Sequence, residues 1–244
     1  RMELMMMKAL ITGITGFVGS HLAEFLLAKK DTVYGTCRWR SPRDNIRQIM
    51  DKIQLVECDL TDLKSCITAM KEVKPDVIYH LAAQSYVPSS FDAPHATIQT
   101  NVLGTLNILE AVRLTNIDPI IHVCSSSEVY GQVKENEVPI TESNQFRPAS
   151  PYAVSKVGED MLAFQYHISY KLKTIRTRMF THTGPRRGEV FVVAAFAKQI
   201  ARIEKGLQEP IIYVGNLNSV RTFADVRDTV RAYWLLTQHC IPGE

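Results

Sequence analysis

The sequence contains few cysteines, and they are scattered along the chain. There is no C-x-x-C pair and no Cys/His group of zinc-binding spacing among the five, which are Cys37, Cys58, Cys66, Cys124 and Cys240. Their odd number and wide spacing argue against a disulfide framework and indicate free, buried thiols in a reducing compartment. The sequence therefore predicts a cytoplasmic protein with no bound metal.

Long apolar runs and a strong charge of one sign are also lacking. No apolar stretch approaches the roughly 20 residues of a membrane-spanning helix, and the N-terminal apolar run is too short for a signal peptide. The 28 Lys and Arg side chains nearly balance the 25 Asp and Glu side chains, for a net charge of +3. We therefore expect no membrane and no nucleic-acid partner, whereas an anionic small ligand remains compatible.

The sequence does contain short apolar runs, which alternate with amphipathic segments of helix length. The runs at 8–13, 32–37, 53–58, 76–83, 119–126 and 172–180 predict strands. Helical spacing is found at 17–29, 61–73, 95–115 and 151–171. Several strands are nearly continuous in Ile, Val and Leu, as expected for a parallel sheet covered on both faces. This order predicts an α/β fold with a Rossmann-type, doubly wound parallel sheet.

The pattern changes after residue 180. A helix at 192–205, a short strand near 211–214 and a helix at 225–238 follow. We therefore predict a Rossmann domain at 1–180 and part of a smaller substrate-binding region at 181–244. This region is expected to be interleaved with the first domain and incomplete at its C-terminus.

The first predicted strand runs into a glycine-rich turn, TGITGFVG, with Gly13, Gly16 and Gly19. Glycines in such a turn allow the backbone to approach a pyrophosphate, which is bound at the N-terminus of the following helix. The turn follows a strand and opens a helix at the start of the chain, which is the context that a dinucleotide site requires. We therefore predict that this turn binds a dinucleotide.

The end of the second strand indicates which dinucleotide is bound. An acidic residue there would bind the ribose 2′-hydroxyl, whereas an arginine accommodates a 2′-phosphate. The sequence reads GTCRWRS, with Arg38 after Thr36 and Cys37 and with no acidic residue. It favours NADP over NAD, although a solvated basic loop would show the same residues.

The stretch RPASPYAVSK combines a helix start with a phenol and an amine. Ser150 and Pro151 are typical of the N-cap and the first helical position. Tyr152 and Lys156, four residues apart, then share a helix face. An adjacent ammonium lowers the pKa of a tyrosine and makes it a better base. The spacing fits a proton-transfer pair, or a solvated helix face with no chemical role.

A second polar group, SSSEVYG, follows the predicted strand at 119–126. Ligands bind at the carboxyl ends of strands in such sheets. Ser126 could hold a substrate oxygen, and Glu128 could move a second proton. A serine-rich strand end is also a common turn.

The order of these motifs resembles the extended short-chain dehydrogenase/reductase family over essentially the whole chain. The resemblance implies that Ser126 binds a sugar hydroxyl, that Tyr152 is the acid/base and that Lys156 binds the cofactor ribose. It also implies that Glu128 removes the C5 proton of a sugar. It further assigns three segments to the cofactor. They are the glycine-rich turn (Gly13, Thr15, Gly16, Phe17, Val18 and Gly19), then Asp59 with Leu60, and then Leu81, Ala82 and Ala83. The implied substrate contacts are Ser85, Thr181, Arg186, Arg187, Val192 and Arg221.

Two groups within that family match closely. The stretches AAQSYVPSSFDAP, SSSEVYG, SPYAVSK and HTGPRRGEVFV resemble GDP-mannose 4,6-dehydratases. The stretch from Phe196 to Leu236 instead resembles GDP-4-keto-6-deoxy-mannose reductases, and Phe17 with Val18 replaces the Gln-Asp that is typical of dehydratases. The resemblance favours a dehydratase that acts on a GDP-sugar. A reductase, another nucleotide-sugar epimerase or dehydratase, and a non-catalytic NADP-binding regulator are the alternatives.

The helices at 95–115 and 151–171 carry apolar residues on more than one face. Examples are Ile98, Val102, Leu106 and Leu109 in the first helix and Met161, Leu162, Phe164 and Tyr166 in the second. As in relatives of this family, we expect the two helices to pack against the same pair in another subunit. The expected assembly is a homodimer or homotetramer.

Overall fold

A computed structural model describes residues 6–244 and contains a parallel sheet of six strands. The strands are β1 (Lys8–Thr12), β2 (Thr32–Cys37), β3 (Gln54–Glu57), β4 (Val77–His80), β5 (Ile120–Cys124) and β6 (Lys173–Thr177). Their spatial order, β3-β2-β1-β4-β5-β6, is that of the Rossmann fold. The predicted fold class is confirmed. The predicted domain at 1–180 is described only from residue 6, because its first five residues lie outside the described part.

Eight α-helices occur among the described residues. They are α1 (Phe17–Ala28), α2 (Leu63–Val73), α3 (Val87–Asp92), α4 (Pro94–Ile98), α5 (Gly104–Thr115), α6 (Pro151–Tyr170), α7 (Val192–Glu204) and α8 (Val226–His239). Five of them, α1, α2, α4, α5 and α6, cover the four predicted helical segments of the Rossmann half. A π-helical turn, Gln99–Leu103, joins α4 to α5, so the predicted helix at 95–115 is one rod with an irregular turn. Short 3₁₀ helices lie at Asp44–Ile49, Ser127–Tyr130 and Glu135–Glu137.

Each face of the sheet has its own apolar core. On one face, Ile78, Ile121 and Val123 pack under α2, α5 and α6. On the other face, Tyr79 packs with Val230 and other residues of α1 and α8. Alternate residues of β4 and β5 enter opposite cores, because successive side chains of a strand point to opposite faces. This explains why these strands are almost continuously apolar.

The predicted strand near 211–214 is wrong. The segment is irregular, and the backbone N–H and carbonyl of Tyr213 bind the side chain of Gln199 on α7, at 2.8 and 3.0 Å. This side chain takes the place of a neighbouring strand. A second, two-stranded sheet instead pairs β7 (His182–Thr183) with β8 (Ala224–Asp225). It brings the start of the C-terminal region next to the N-terminus of α8.

No helix within residues 6–244 is long and apolar enough to cross a bilayer. The same residues contain no cluster of three or more His, Cys, Asp or Glu side chains that could hold a metal ion.

Candidate active site

A cleft of about 750 Å³ opens at the carboxyl ends of the central strands. It lies where the order of the sheet reverses between β1 and β4, which is the usual position of a ligand in such sheets. All the residues that the sequence assigns to catalysis and to the cofactor line this cleft. The fold therefore brings together residues as far apart in the sequence as Gly13 and Lys156.

The glycine-rich turn forms the floor of the cleft. Gly13 has a φ of +72°, a conformation that side chains disfavour, and a Cβ on Gly19 would lie 2.3 Å from the carbonyl oxygen of Gly13. Gly16 is the N-cap of α1 and offers no side chain to bind the first amides of the helix. These amides remain available to an anion at the positive end of the helix dipole. The turn fits the pyrophosphate of a dinucleotide.

A buried chain of hydrogen bonds fixes the second wall of the cleft. The hydroxyl of Thr12 accepts the backbone N–H groups of Leu81 and Ala82, both at 3.1 Å, and contacts Nδ1 of His80 at 2.9 Å. Burial lowers the pKa of His80 to about 3, so its ring is neutral. Because Thr12 accepts two N–H groups, its own proton goes to Nδ1, and Nε2–H then donates to Thr105 at 2.9 Å. This chain places Ala82 against Gly13.

Ser126 and Tyr152 reach the cleft from two helix starts. The Ser150 hydroxyl accepts the backbone N–H of Ala153 at 3.0 Å and so caps α6, as predicted. Ser126 caps the 3₁₀ helix that carries Glu128, whose N–H donates to the Ser126 hydroxyl at 3.2 Å. Tyr152 and Ser126 are buried, whereas Glu128 lies exposed at the cleft wall. A hydroxyl, a phenol and a carboxylate therefore face one space.

Burial decides the direction in which the pKa of Tyr152 shifts from its ordinary value. It raises the pKa of the phenol, and this effect outweighs the lowering by Lys156 and by the neighbouring Ser126 hydroxyl. The sequence predicted that Lys156 lowers the pKa of Tyr152, but it could not show that the phenol is buried. The Lys156 ammonium therefore compensates only in part for the unfavourable effect of burial on the phenolate.

Lys156 is itself buried and is held by two acceptors. Its Nζ donates to the carbonyl oxygen of Cys124 and to Oε2 of Glu159, both at 2.9 Å. Burial opposes the ammonium, but the charges of Glu159, Tyr152 and Cys124 outweigh it and raise the pKa of Lys156. Lys156 therefore stays protonated beside Tyr152. No pattern in the sequence marks Glu159 as part of this site.

Asn101, in the π-helical turn, is a second residue that sequence analysis missed. Its amide donates to the Ser155 hydroxyl at 2.8 Å and to the Gln84 carbonyl at 3.0 Å, and it accepts the Gln84 N–H at 2.8 Å. It ties the segment after β4 to α6 at the base of the cleft. No signal in the sequence marks it, because the polar Gln99 and Thr100 precede it and only the packing of α6 buries it.

The far end of the cleft contains the basic segment after β2. Arg38 and Ser41 line it together with Asp59, whose Oδ1 accepts the backbone N–H of Thr61 at 2.9 Å. The backbone N–H of Arg38 donates to the Ser41 hydroxyl at 3.0 Å, which shapes this turn. The side chain of Arg38 is exposed and makes no hydrogen bond within residues 6–244. Its guanidinium is available to a ligand.

The two neighbouring arginines of the PRRG stretch, both predicted to contact substrate, point to different places. Arg187 lines the cleft, with its guanidinium over the rings of Phe17 and Phe191. Arg186 does not line the cleft. It binds Glu24 of α1 through two hydrogen bonds of 3.1 and 2.7 Å. Arg186 therefore anchors the segment that presents Arg187.

Of the other four predicted substrate contacts, two line the cleft and two do not. Ser85 and Thr181 line the cleft. Val192, at the start of α7, is exposed outside it, and Arg221 is exposed with its guanidinium bonded to the carbonyl of Val220 at 2.9 Å. Val192 and Arg221 belong to the part of the chain that has little packing onto the sheet.

Comparison with known proteins agrees with this geometry. The model of the GDP-mannose 4,6 dehydratase family matches residues 10–244. A GDP-mannose 4,6-dehydratase from Yersinia enterocolitica is 40% identical over 250 residues, 98% of this chain and 66% of that protein. A GDP-6-deoxy-D-mannose reductase from Pseudomonas aeruginosa is 37% identical over 236 residues, 96% of this chain and 72% of that protein.

A solved structure, RMD from Pseudomonas aeruginosa complexed with NADPH, superimposes with a TM-score of 0.84 at 36% identity. The alignment covers 98% of this chain and 74% of that one. The chain spans just under two thirds of the length of the dehydratase from Yersinia enterocolitica. Because the family model matches nearly every residue and the expected motifs meet in one cleft, the chain belongs to the GDP-mannose 4,6-dehydratase family.

Proposed function

We propose that this chain carries the NADP-binding and catalytic part of a GDP-mannose 4,6-dehydratase. The observation that carries the proposal is the presence of Glu128 in the same cleft as Ser126 and Tyr152. Oxidation of a sugar alcohol requires one acid/base, and loss of water from the neighbouring carbons requires another. The product of this reaction is GDP-4-keto-6-deoxy-mannose.

Each residue has a separate role in this reaction. Ser126 hydrogen-bonds the C4 hydroxyl, and Tyr152 takes its proton while the Lys156 ammonium stabilises the phenolate. NADP bound in this cleft would supply the acceptor for the C4 hydride and the donor of a hydride to C6. Glu128 removes the C5 proton, which the C4 ketone has made acidic, and assists loss of the C6 hydroxyl. Arg187, at the cleft wall, binds the anionic diphosphate.

The reaction can be tested directly with GDP-mannose. The chain loaded with NADP is expected to convert it to a product lighter by one water, with no net change in NADPH absorbance. Mass spectrometry of the nucleotide sugar reports the loss of water. The opposite result would contradict a dehydratase: no loss of water from GDP-mannose, but addition of two hydrogens and stoichiometric loss of NADPH when the 4-keto sugar and NADPH are supplied instead.

The second candidate is a reductase of the 4-keto sugar. It is favoured by the similarity to the GDP-6-deoxy-D-mannose reductase and by the match to RMD complexed with NADPH. In that reaction Tyr152 donates a proton to the C4 oxygen, and Glu128 has no step. The nucleotide-sugar assay above distinguishes the two candidates, because only the reductase consumes NADPH.

We propose NADP rather than NAD as the cofactor because of Arg38. Its exposed guanidinium lies at the cleft end and can pair with a 2′-phosphate. Arg38→Asp is expected to weaken NADP binding about 10-fold or more while NAD binding is retained or improved, since a carboxylate repels a phosphate and accepts a ribose hydroxyl. Titration of both cofactors by calorimetry measures the effect, with Arg43→Asp as a control outside the cleft. Equal weakening of both cofactors would refute this role.

We also propose a homodimer through the helices at 95–115 and 151–171, which are α4 to α5 and α6, or a homotetramer built from such dimers. Apolar side chains that are 39–53% exposed cover α6, namely Val154, Met161, Phe164, Ile168 and Tyr170. Leu109 and Tyr166, which sequence analysis placed in the same set, are instead buried in the core of the subunit. Sedimentation at micromolar concentration is expected to show a dimer or larger, and Phe164→Glu to shift it toward monomer. A wild-type monomer would contradict the proposal.

A further inference from the structure

A buried carboxylate lies directly behind the Tyr152–Lys156 pair. Glu159 follows Lys156 by three positions on α6, so the two side chains share one helix face. The side chain of Glu159 is 1% exposed. Its Oε2 accepts the Lys156 ammonium at 2.9 Å, whereas its Oε1 is buried and has no hydrogen-bond partner among the described residues.

The neighbouring Asp160 shows what a purely structural carboxylate looks like here. It is also fully buried, but both of its oxygens are bound by Arg176 and Arg178 of the segment beside α6. Glu159 has a single cationic partner, and that partner belongs to the proposed active site. A buried carboxylate is strongly unfavourable unless it is fully paired, so an oxygen left free calls for another reason than stability.

The geometry of the ammonium suggests that reason. An ammonium has three N–H groups. Two of those of Lys156 go to the Cys124 carbonyl and to Glu159, and Lys156 lines the cleft. These two acceptors together fix the direction of the third N–H. The carboxylate also carries a negative charge that acts on Tyr152 against the charge of Lys156.

We propose that Glu159 is a positioning residue that holds the Lys156 ammonium and partly offsets its charge, and thereby sets the pH at which Tyr152 ionises. This inference rests on the proposed acid/base role of Tyr152. Burial raises the pKa of Glu159 to about 7, although Lys156 lowers it. The carboxylate is therefore charged throughout the alkaline range in which the buried Tyr152 ionises.

The sign follows from the charges. When Glu159 is ionised, it opposes the phenolate and raises the pKa of Tyr152; when it is neutral, the Lys156 ammonium stabilises the phenolate without opposition. The ionisable groups around Tyr152, Lys156 and Glu159 are Asp160 on α6, His80 on β4, His122 and Cys124 on β5, Arg176 and Arg178 from β6 onward, Arg187 at the cleft wall and Tyr233 on α8. Burial lowers the pKa of both histidines to about 3, so they do not titrate in this range.

The test replaces Glu159 by glutamine, which keeps the shape and an acceptor for Lys156 but removes the charge. We expect the pH at which Tyr152 ionises to fall by about one unit or more in Glu159→Gln. The ultraviolet absorbance of the phenolate measures this, with the Tyr152→Phe derivative of each variant subtracted to isolate one of nine tyrosines. The acid limb of single-turnover NADP reduction by GDP-mannose should move the same way.

Glu110→Gln is the matched control. Glu110 pairs with Arg113 on α5 at the same three-residue spacing and at 2.7 Å, but it does not line the cleft. We expect no change in the ionisation of Tyr152 in this variant. An unchanged or raised ionisation pH in Glu159→Gln would overturn the proposal and leave Glu159 a merely structural residue. The phenolate titration needs no sugar, so it remains decisive if GDP-mannose is not the substrate.

A second measurement keeps the proposal testable if Glu159→Gln does not fold. Carbon NMR of the wild-type chain, labelled at the glutamate carboxyl carbons, reports the titration of Glu159, and its signal is the one lost in Glu159→Asp. A Glu159 carboxylate that is ionised throughout the pH range in which Tyr152 ionises supports the proposal. A Glu159 carboxyl that stays neutral in that range overturns it.

Discussion

Tyr152→Phe should abolish every step of the reaction, because without the phenol no proton leaves the C4 hydroxyl and no hydride transfer can follow. General acid/base groups are typically worth about 10²–10⁴-fold in rate, and we expect a loss in that range or larger. The measurement is single-turnover formation of NADPH with GDP-mannose. The fold should be retained, because the ring stays buried on α6 and only the oxygen is lost.

Tyr166→Phe is the appropriate control for this variant. Tyr166 is a buried tyrosine of the same helix, and its hydroxyl donates to Glu110 at 2.6 Å, away from the cleft. Loss of that hydroxyl should change stability and leave NADPH formation intact. If Tyr152→Phe forms NADPH at the wild-type rate, the phenol is not the base and the assignment fails.

Glu128→Gln should separate the two halves of the reaction. Glutamine keeps the shape and polarity of the side chain but cannot take the C5 proton. Oxidation at C4 should survive, whereas elimination of water should slow by about 10²–10⁴-fold. The variant should accumulate NADPH and a 4-keto sugar, with no solvent deuterium entering C5, as measured by absorbance and by mass spectrometry.

Glu135→Gln gives a comparison variant, because Glu135 is exposed in the next 3₁₀ helix and does not line the cleft. It should behave as the wild type. Full conversion of a ketosugar and NADPH by Glu128→Gln, with no dehydration by the wild type, would transfer the assignment to the reductase.

The sequence by itself determined the features that depend on neighbouring residues. The glycine spacing follows from the backbone of one turn, and the shared face of Tyr152 and Lys156 follows from the 3.6-residue period of a helix. The six strands were predicted in the right order, although their ends at β4 and β6 were set too far along the chain. Apolar patterning marks burial, but backbone pairing decides where a strand ends.

The tertiary structure alone decided what depends on segments far apart in the sequence. Arg186 and Arg187 look equivalent in the chain, yet Glu24 of α1 binds the first and leaves the second in the cleft. Tyr213 lies in an apolar run, but the side chain of Gln199 occupies its backbone groups and no strand forms.

The same is true of the electrostatics of the cleft. A nearby ammonium predicts a lower pKa for Tyr152, but the burial of the phenol outweighs it. Glu159 has an ordinary helical position in the sequence, and only the packing of α6 against β5 encloses it with Lys156. Desolvation depends on all the atoms that surround a group, which no local pattern specifies.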